Sequence, residues 1–252
     1  MKCFTLLIIT IFITTSGMSQ ERKDSLNPYE LLTKYYEEGF KPFAKGNYYS
    51  GIAFSLTNSN LENSSKGFDK VIAGIDKTTS ITFKGGYFLK DYIMTGMNFE
   101  LGRDEFGGNI DVSGDTVSRQ TMRKYLSFSP VIKSYVPLTK NNRLSFFTEI
   151  GLGAKFANSL SEDISNVDVY TRKYGKDFTF SAGLGAGVTF FALENFAIEV
   201  MLKNLVGYEL KISKQRQNNV DYSKKTTHNV NFDINLLSLK VGVAYFIQPK
   251  KK

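Results

Sequence analysis

Three features of this 252-residue sequence predict an all-β fold: an eight-stranded antiparallel up-and-down transmembrane β-barrel with a short N-terminal helical segment. The first is a stretch whose alternate residues divide completely by polarity. Phe178, Phe180, Ala182, Leu184, Ala186, Val188 and Phe190 share one face; Thr179, Ser181, Gly183, Gly185, Gly187 and Thr189 share the other. This run is long for a globular strand and suits a tilted crossing of a bilayer. The second is that connections between such stretches alternate long and short, as in membrane barrels with short turns on one side and longer loops on the other. The third is that charged residues recur mid-strand on the face opposite the apolar one.

Composition agrees. Gly (21), Phe (21) and Tyr (14) are abundant and Pro (5) is scarce, which favours long strands over helices. Beyond the N-terminus no apolar run reaches the length of a membrane helix, whereas a barrel gives only a weak hydropathy signal.

Residues 1–19 read as a signal peptide, with Lys2 as its charge, Phe4–Thr14 as its apolar core and Gly17-Met18-Ser19 as a small-x-small cleavage site. Gln20 then begins the mature chain. Cys3 is the only cysteine, so disulfide frameworks and cysteine metal sites are excluded after cleavage. Loss of Lys2 takes the formal charge from +8 to +7, a basic balance suited to anionic lipid headgroups. Residues 20–46 form a periplasmic N-terminal segment that packs near the barrel mouth. Within it Asn27 as N-cap, Pro28 and Glu30 start a helix over 28–39 that Gly39 ends.

The barrel domain is expected over 47–252. Its strands are read at 48–57, 80–89, 92–102, 123–136, 143–156, 178–190, 196–210 and 232–247. Short turns fall at Lys90-Asp91, at Thr139-Lys140-Asn141-Asn142 and at Leu193-Glu194-Asn195. Four long polar loops fall at about 58–79, 103–121, 157–176 and 211–230. Pro130 lacks a ladder donor in the fourth strand and suggests a bulge.

The faces decide the barrel type. Ile81, Phe83, Phe99, Leu101, Phe128, Ile132, Phe146, Ile150, Leu152, Phe196, Ile198, Val200, Leu202, Leu239, Val241 and Val243 share one face. Asn98, Ser127, Gly151 and Gly153 share the other with an interior charge network of Lys84, Glu100, Lys133, Glu149, Glu199, Lys203 and Lys240. A calyx that packs its apolar face inward cannot hold those charges; lipid outside and charge inside fits both sets. Hairpin register places Gly183 and Gly187 opposite Lys203 and Glu199, leaving room for the longer side chains. Aromatic residues gather near both strand ends, as in interfacial girdles: Tyr87, Phe88, Tyr92, Tyr135, Phe190, Phe196, Tyr245 and Phe246 at one, Tyr125, Phe156, Phe178, Tyr208 and Phe232 at the other.

Three segments resemble the small outer-membrane β-barrel proteins of Gram-negative bacteria, the OmpA/OmpX-like group. Gly86-Tyr87-Phe88-Leu89-Lys90-Asp91 is similar to the group's GYF-x-x-D turn. Ser129-Pro130-Val131-Ile132-Lys133-Ser134-Tyr135 is similar to its P-F-x-R-Y-Y strand, with Lys133 where arginine is usual. The last strand resembles an assembly signal of the form polar, x, Gly, x, x, aromatic, x, hydrophobic, carried by Lys240, Gly242, Tyr245 and Ile247. The tail from Gln248 continues past the usual terminal aromatic. The resemblance spans 47–247 and implies localisation in the cell outer membrane. It also implies contact with outer-membrane lipid and lipopolysaccharide, with the barrel assembly machinery and with a candidate envelope protein complex.

Catalytic alternatives are thin. The lone histidine, His228, has Ser223 and Asp221 as the nearest partners for a hydrolase. Asp111, Asp115, Asp163 and Asp168 match no compact calcium loop. A candidate anion-binding loop carries Lys211, Lys214, Arg216, Lys224 and Lys225. No cofactor and no nucleic-acid partner is expected. The leading function is a non-enzymatic structural or interaction scaffold. The alternatives are a narrow porin and a loop-sited envelope enzyme.

Overall fold

The alternating pattern folds into antiparallel strands. The structure, a computed structural model, describes residues 41–66, 69–112, 115–139, 141–164, 170–217, 220–232 and 239–249. The expected signal peptide and the expected helix over 28–39 lie outside the described residues. The strands are β1 (Tyr48–Lys66), β2 (Asp69–Lys90), β3 (Ile93–Val112), β4 (Asp115–Pro137), β5 (Leu144–Ile164), β6 (Tyr170–Phe191), β7 (Phe196–Gln217), β8 (Val220–Phe232) and β9 (Leu239–Ile247).

Consecutive strands from β1 to β7 pair as hairpins, and β7 pairs with both β8 and β9. β9 also pairs with β1, so the hydrogen-bonded ring from β1 through β7 and β9 closes on itself. In hydrocarbon no water satisfies a free strand edge, which makes closure the condition for spanning. The ring is sheared. From Phe54 one row of partners passes through Ile81, Leu101, Leu126 and Phe156 to Phe178. Followed the other way, it passes through Val241 and Val200 to Val188. Phe178 and Val188 are ten residues apart on the same strand. The strands are therefore tilted, and a row of partners climbs round the wall from β2 towards β7.

The expected faces are present. The apolar set is exposed or half-buried on the outside, and the expected interior set, where its side chains are described, is buried or half-buried. The expected loops differ. Most of 58–79, 103–121, 157–176 and 211–230 is strand, prolonging the hairpins into arms. These stretches carry fewer apolar residues, apart from a separate cluster of Val71, Phe106 and Ile110 with Leu61 and Val117, so the two-sided signal weakens while backbone pairing continues. The expected eighth strand, 232–247, is not one described element. β8 ends at Phe232, β9 begins at Leu239, and 233–238 lie outside the described residues. Pro130 causes no bulge: Phe128 opposes Ala154 and Val131 opposes Gly151 in unchanged register.

The turn-side end of the ring is stoppered. Lys41 to Asn47 make a tight turn beneath it, in which the Ala44 amide donates to the Lys41 carbonyl and the Asn47 side chain to the Lys41 and Pro42 carbonyls. Gly46 takes a φ of 91°, open to glycine without strain. The turn lifts Phe43 into the bore, where it is only 2% exposed. Its ring stacks on Tyr135 at 4.3 Å and meets Phe191 and Phe246 edge-on at 5.6 Å each. Phe88, Tyr135 and Phe246, expected in the girdle, are buried in this stopper, and the partly exposed Tyr92 at the turn sets its ring 6.0 Å from that of Phe43, whereas Tyr87, Phe190 and Tyr245 do face outward.

Gly242 opposes Ala53 at the seam between β1 and β9. A Cβ there would lie 2.6 Å from the Ile52 carbonyl oxygen and 2.7 Å from the Ala53 Cβ. Gly242→Val is therefore expected to prevent closure and abolish the fast gel mobility of the unheated protein. Unchanged heat-modifiability would contradict this.

Candidate functional site

The interior of the ring is the most heavily constrained region of the chain. On β7, Ile198 and Val200 face outward, so Glu199 between them faces the bore and is 2% exposed. Its Oε1 accepts from Lys133 Nζ at 2.7 Å, from Thr189 Oγ1 at 3.2 Å and from the Tyr135 hydroxyl at 3.5 Å. Its Oε2 accepts from the Tyr49 hydroxyl at 2.6 Å and from Lys84 Nζ at 3.4 Å. Lys133 is fully buried, and its ammonium also stands 3.9 Å from the centre of the Phe147 ring. A carboxylate withdrawn from water is tolerated only with such saturation of its lone pairs.

A second cluster lies further from the stopper. Lys240 Nζ donates to Glu100 Oε2 at 2.6 Å and to Thr82 Oγ1 at 2.9 Å, and the Tyr125 hydroxyl donates to Glu100 Oε1 at 3.0 Å. Tyr125, expected in the outer girdle, is thus an interior residue. Glu149 behaves differently from expectation. It opposes Lys133 in register, yet Lys133 reaches Glu199 instead, and Glu149 accepts from Asn98 Nδ2 at 2.9 Å. The Lys203 side chain lies outside the described residues. The expected register also shifts, because β6 and β7 slip between Leu184 and Ala186. Gly183 opposes Gly207, Gly187 opposes Met201, and Thr189 is the residue opposite Glu199.

Between the clusters lies a small polar cavity of about 70 Å³. Gly151, Gly153, Gly183 and Gly185 form one wall with Glu149 beside Gly185, and Lys84, Asn98, Glu100 and Lys240 contribute to the rest of the lining. The volume suits a few waters held by polar walls.

The arms carry the remaining candidates. The anion-binding set divides between the faces. Lys214, Arg216 and Lys224 are exposed, whereas Lys211 turns to Asp177 at 3.0 Å, and Lys225 opposes Ser213 on the other face from Lys224. Lys176, not in the expected set, joins the exposed group: Lys176 opposes Lys214, and Lys214 opposes Lys224. On the inner side of the arms, Asp163 accepts from Arg119 at 2.6 Å and from Lys173 at 2.9 Å. Burial pushes the Asp163 carboxyl up, but hydrogen bonds from these two cations outweigh it and hold it below the usual aspartate range. His228 Nδ1 lies 2.7 Å from the Tyr208 hydroxyl. Ser223 is five residues away on the same strand and so points to the other face. The Asp168 residue and the Asp221 side chain lie outside the described residues. Among the described residues no group of three or more His, Cys, Asp or Glu side chains gathers as metal ligands.

No family model matches the chain, and no curated relative matches it. Solved structures do. The outer membrane protein OprG from Pseudomonas aeruginosa is 12% identical, with 84% of this chain and 100% of that chain covered and a TM-score of 0.48. A major outer membrane protein from Thermus thermophilus is 12% identical over 80% of this chain and 99% of its own, with a TM-score of 0.42. Ail, the attachment invasion locus protein of Yersinia pestis, is 13% identical over 81% of this chain and 99% of its own, with a TM-score of 0.34. Two of these three are named as outer membrane proteins.

The three segments that carry the sequence resemblance acquire distinct places in the structure. The Gly86–Asp91 stretch forms the end of β2 and its turn, where Asp91 accepts from the Lys45 amide at 2.7 Å and so latches the stopper. Lys133, at the position where arginine is usual, is the main cation on Glu199. Lys240 and Gly242 face the bore, whereas Tyr245 and Ile247 face outward. Sequence reading sorted Asn98 and Thr189 to the polar face without naming them as partners, and it missed Phe43 and Tyr49. Phe88, Tyr135 and Phe246 were legible as aromatics near the strand ends, but nothing marked Phe43 as the centre of a filled end.

Glu199→Gln leaves Lys133 and Lys84 without their anion and is expected to cost about 3–5 kcal/mol. Glu149→Gln preserves a hydrogen bond to Asn98 and is expected to cost about 1 kcal/mol. Urea unfolding from lipid vesicles separates the two; equal losses would contradict the assignment of Glu199 as the centre.

Proposed function

We propose that the protein is an integral outer-membrane barrel of eight staves, with β8 and β9 as two parts of one stave. Its role is that of a non-enzymatic scaffold that holds hairpin arms above the membrane. The observation that carries this reading is the combination of an apolar outer wall with an interior closed by buried ion pairs and a stopper. Such a wall is stable only in lipid, and such an interior leaves the arms as the accessible surface. The lysines at 176, 214 and 224 stand directly side by side, an arrangement that repels itself until an anionic partner neutralises it. An acidic protein component of an envelope complex meets that requirement. The inward Lys240 and Gly242 with the outward Tyr245 and Ile247 suit recognition of β9 by assembly machinery. The bond between His228 and Tyr208, with Ser223 on the opposite face, argues against a hydrolase.

A narrow solute channel is the second reading, favoured by the glycine wall of the cavity. Planar-bilayer recording on refolded protein in about molar salt separates the two. The scaffold reading expects a silent bilayer, since a bore of this strand number has room only for its own side chains. Steady, reproducible conductance steps would favour the channel. On intact cells, a cysteine at position 224 is expected to react with an impermeant maleimide and one at position 141 is not. Labelling at 141 would invert the orientation.

A further inference from the structure

We propose that the outer wall of β2, β3 and β4 holds a specific site for a phosphorylated lipid of the surrounding leaflet; this rests on the membrane reading above. Three successive rows of cross-strand partners define it. Phe83, Phe99 and Phe128 form the first, with ring centres 6.4 Å and 5.0 Å apart. Ile81, Leu101 and Leu126 form the second, and Thr79, Arg103 and Lys124 the third. Lys77 follows two residues beyond Thr79 on the same face. The wall thus passes from aromatic to aliphatic to cationic within three rows.

The change of polarity coincides with a depression. A hollow of about 710 Å³ is lined below by Phe54, Ile81 and Leu101 and above by Lys77, Arg103 and Lys124. Arg103 shares an ion pair with Glu105, which also lines the hollow. Lys77 and Lys124 are exposed and have no ion-pair partner among the described residues. The hollow therefore sets three basic groups against the single carboxylate of Glu105, which stands opposite Lys77 in the ladder, over an apolar floor. A phosphate monoester matches the cations, and an acyl chain matches the floor. A free phosphate would leave the floor in water. A soluble protein would not reach a floor continuous with the apolar band.

Position selects this part of the cationic row. The same row continues through Asn158 to Lys176, Lys214 and Lys224. Because rows climb from β2 towards β7, Arg103 and Lys124 stand lowest and nearest the lipid, while Lys224 stands highest. The two ends of one row thereby face different surroundings.

The test uses the full mature chain refolded into phosphatidylcholine vesicles doped with bisphosphorylated lipid A or with its dephosphorylated counterpart. Lipid retained on the detergent-extracted barrel is counted by native mass spectrometry. The wild type is expected to retain the phosphorylated lipid about ten-fold better or more, given three basic groups at an anionic headgroup. Lys77→Gln with Arg103→Gln and Lys124→Gln is expected to bring the ratio near one, and Lys176→Gln with Lys214→Gln and Lys224→Gln to leave it unchanged. Equal retention of both lipids by an inserted wild type would overturn the site alone, as would a preference that survives the first triple substitution. Displacement of the lipid by millimolar inorganic phosphate would reduce it to a simple anion site and overturn the lipid assignment. Failure of the wild type to insert into phosphatidylcholine would overturn the membrane reading and the site together.

Discussion

The carboxylate of Glu199 is the interaction on which the interior depends. It collects donors from Tyr49 on β1, Lys84 on β2, Lys133 and Tyr135 on β4 and Thr189 on β6, while itself standing on β7. One side chain thereby ties five of the staves across the bore. In a bilayer the apolar exterior gains little from any particular arrangement, because lipid solvates one apolar surface much as it does another. A buried network has the opposite character. Its members are expensive unless every partner is in place, so it penalises slipped registers more than it rewards the correct one. The slip between β6 and β7 falls between Leu184 and Ala186, on the far side of Ala186 from Glu199. The register next to Glu199, with Thr189 directly opposite, is unshifted.

The stopper follows from the same constraint. Excluding water strengthens the attraction within each ion pair and raises the cost of leaving either ion unpaired, and the aromatic end provides that exclusion. Phe147 beneath Lys133 is fully buried, and Phe43 covers Tyr135, whose hydroxyl is bonded to Glu199. The Asp91 contact to the Lys45 amide and the Phe43 carbonyl's acceptance from the Tyr92 amide hold the turn in place. The aromatic set of the turn-side end thus has two duties: Tyr87 and Tyr245 face the membrane interface, and Phe88 and Phe246 fill the bore.

Much of this was legible in the sequence, and what was not has a physical cause. Period-two alternation marked the membrane-facing parts of the strands, because there one face must be apolar. It did not mark the arms, where apolar residues are fewer and the cluster of Val71, Phe106 and Ile110 is too scattered along the strands to set a period. Alternation also sorted Lys84, Glu100, Lys133, Glu149, Glu199 and Lys240 to the interior. It could not assign partners among them, since ion pairing across a bore depends on the curvature that brings distant strands face to face. Glu149 and Lys133 illustrate this: adjacent in register, they are not the pair that forms. Phe43 was hidden for a different reason, since a single aromatic in a turn has no periodicity to read.

A double-mutant cycle on Lys133→Met and Glu199→Gln, measured by unfolding from vesicles, tests the central role of this contact most directly. If Lys133 and Glu199 hold the interior together, each single change is strongly destabilising and the double change costs much less than their sum. A coupling of about 2 kcal/mol or more is predicted. Losses that add within about 0.5 kcal/mol would show the two groups to be energetically independent and would contradict the account.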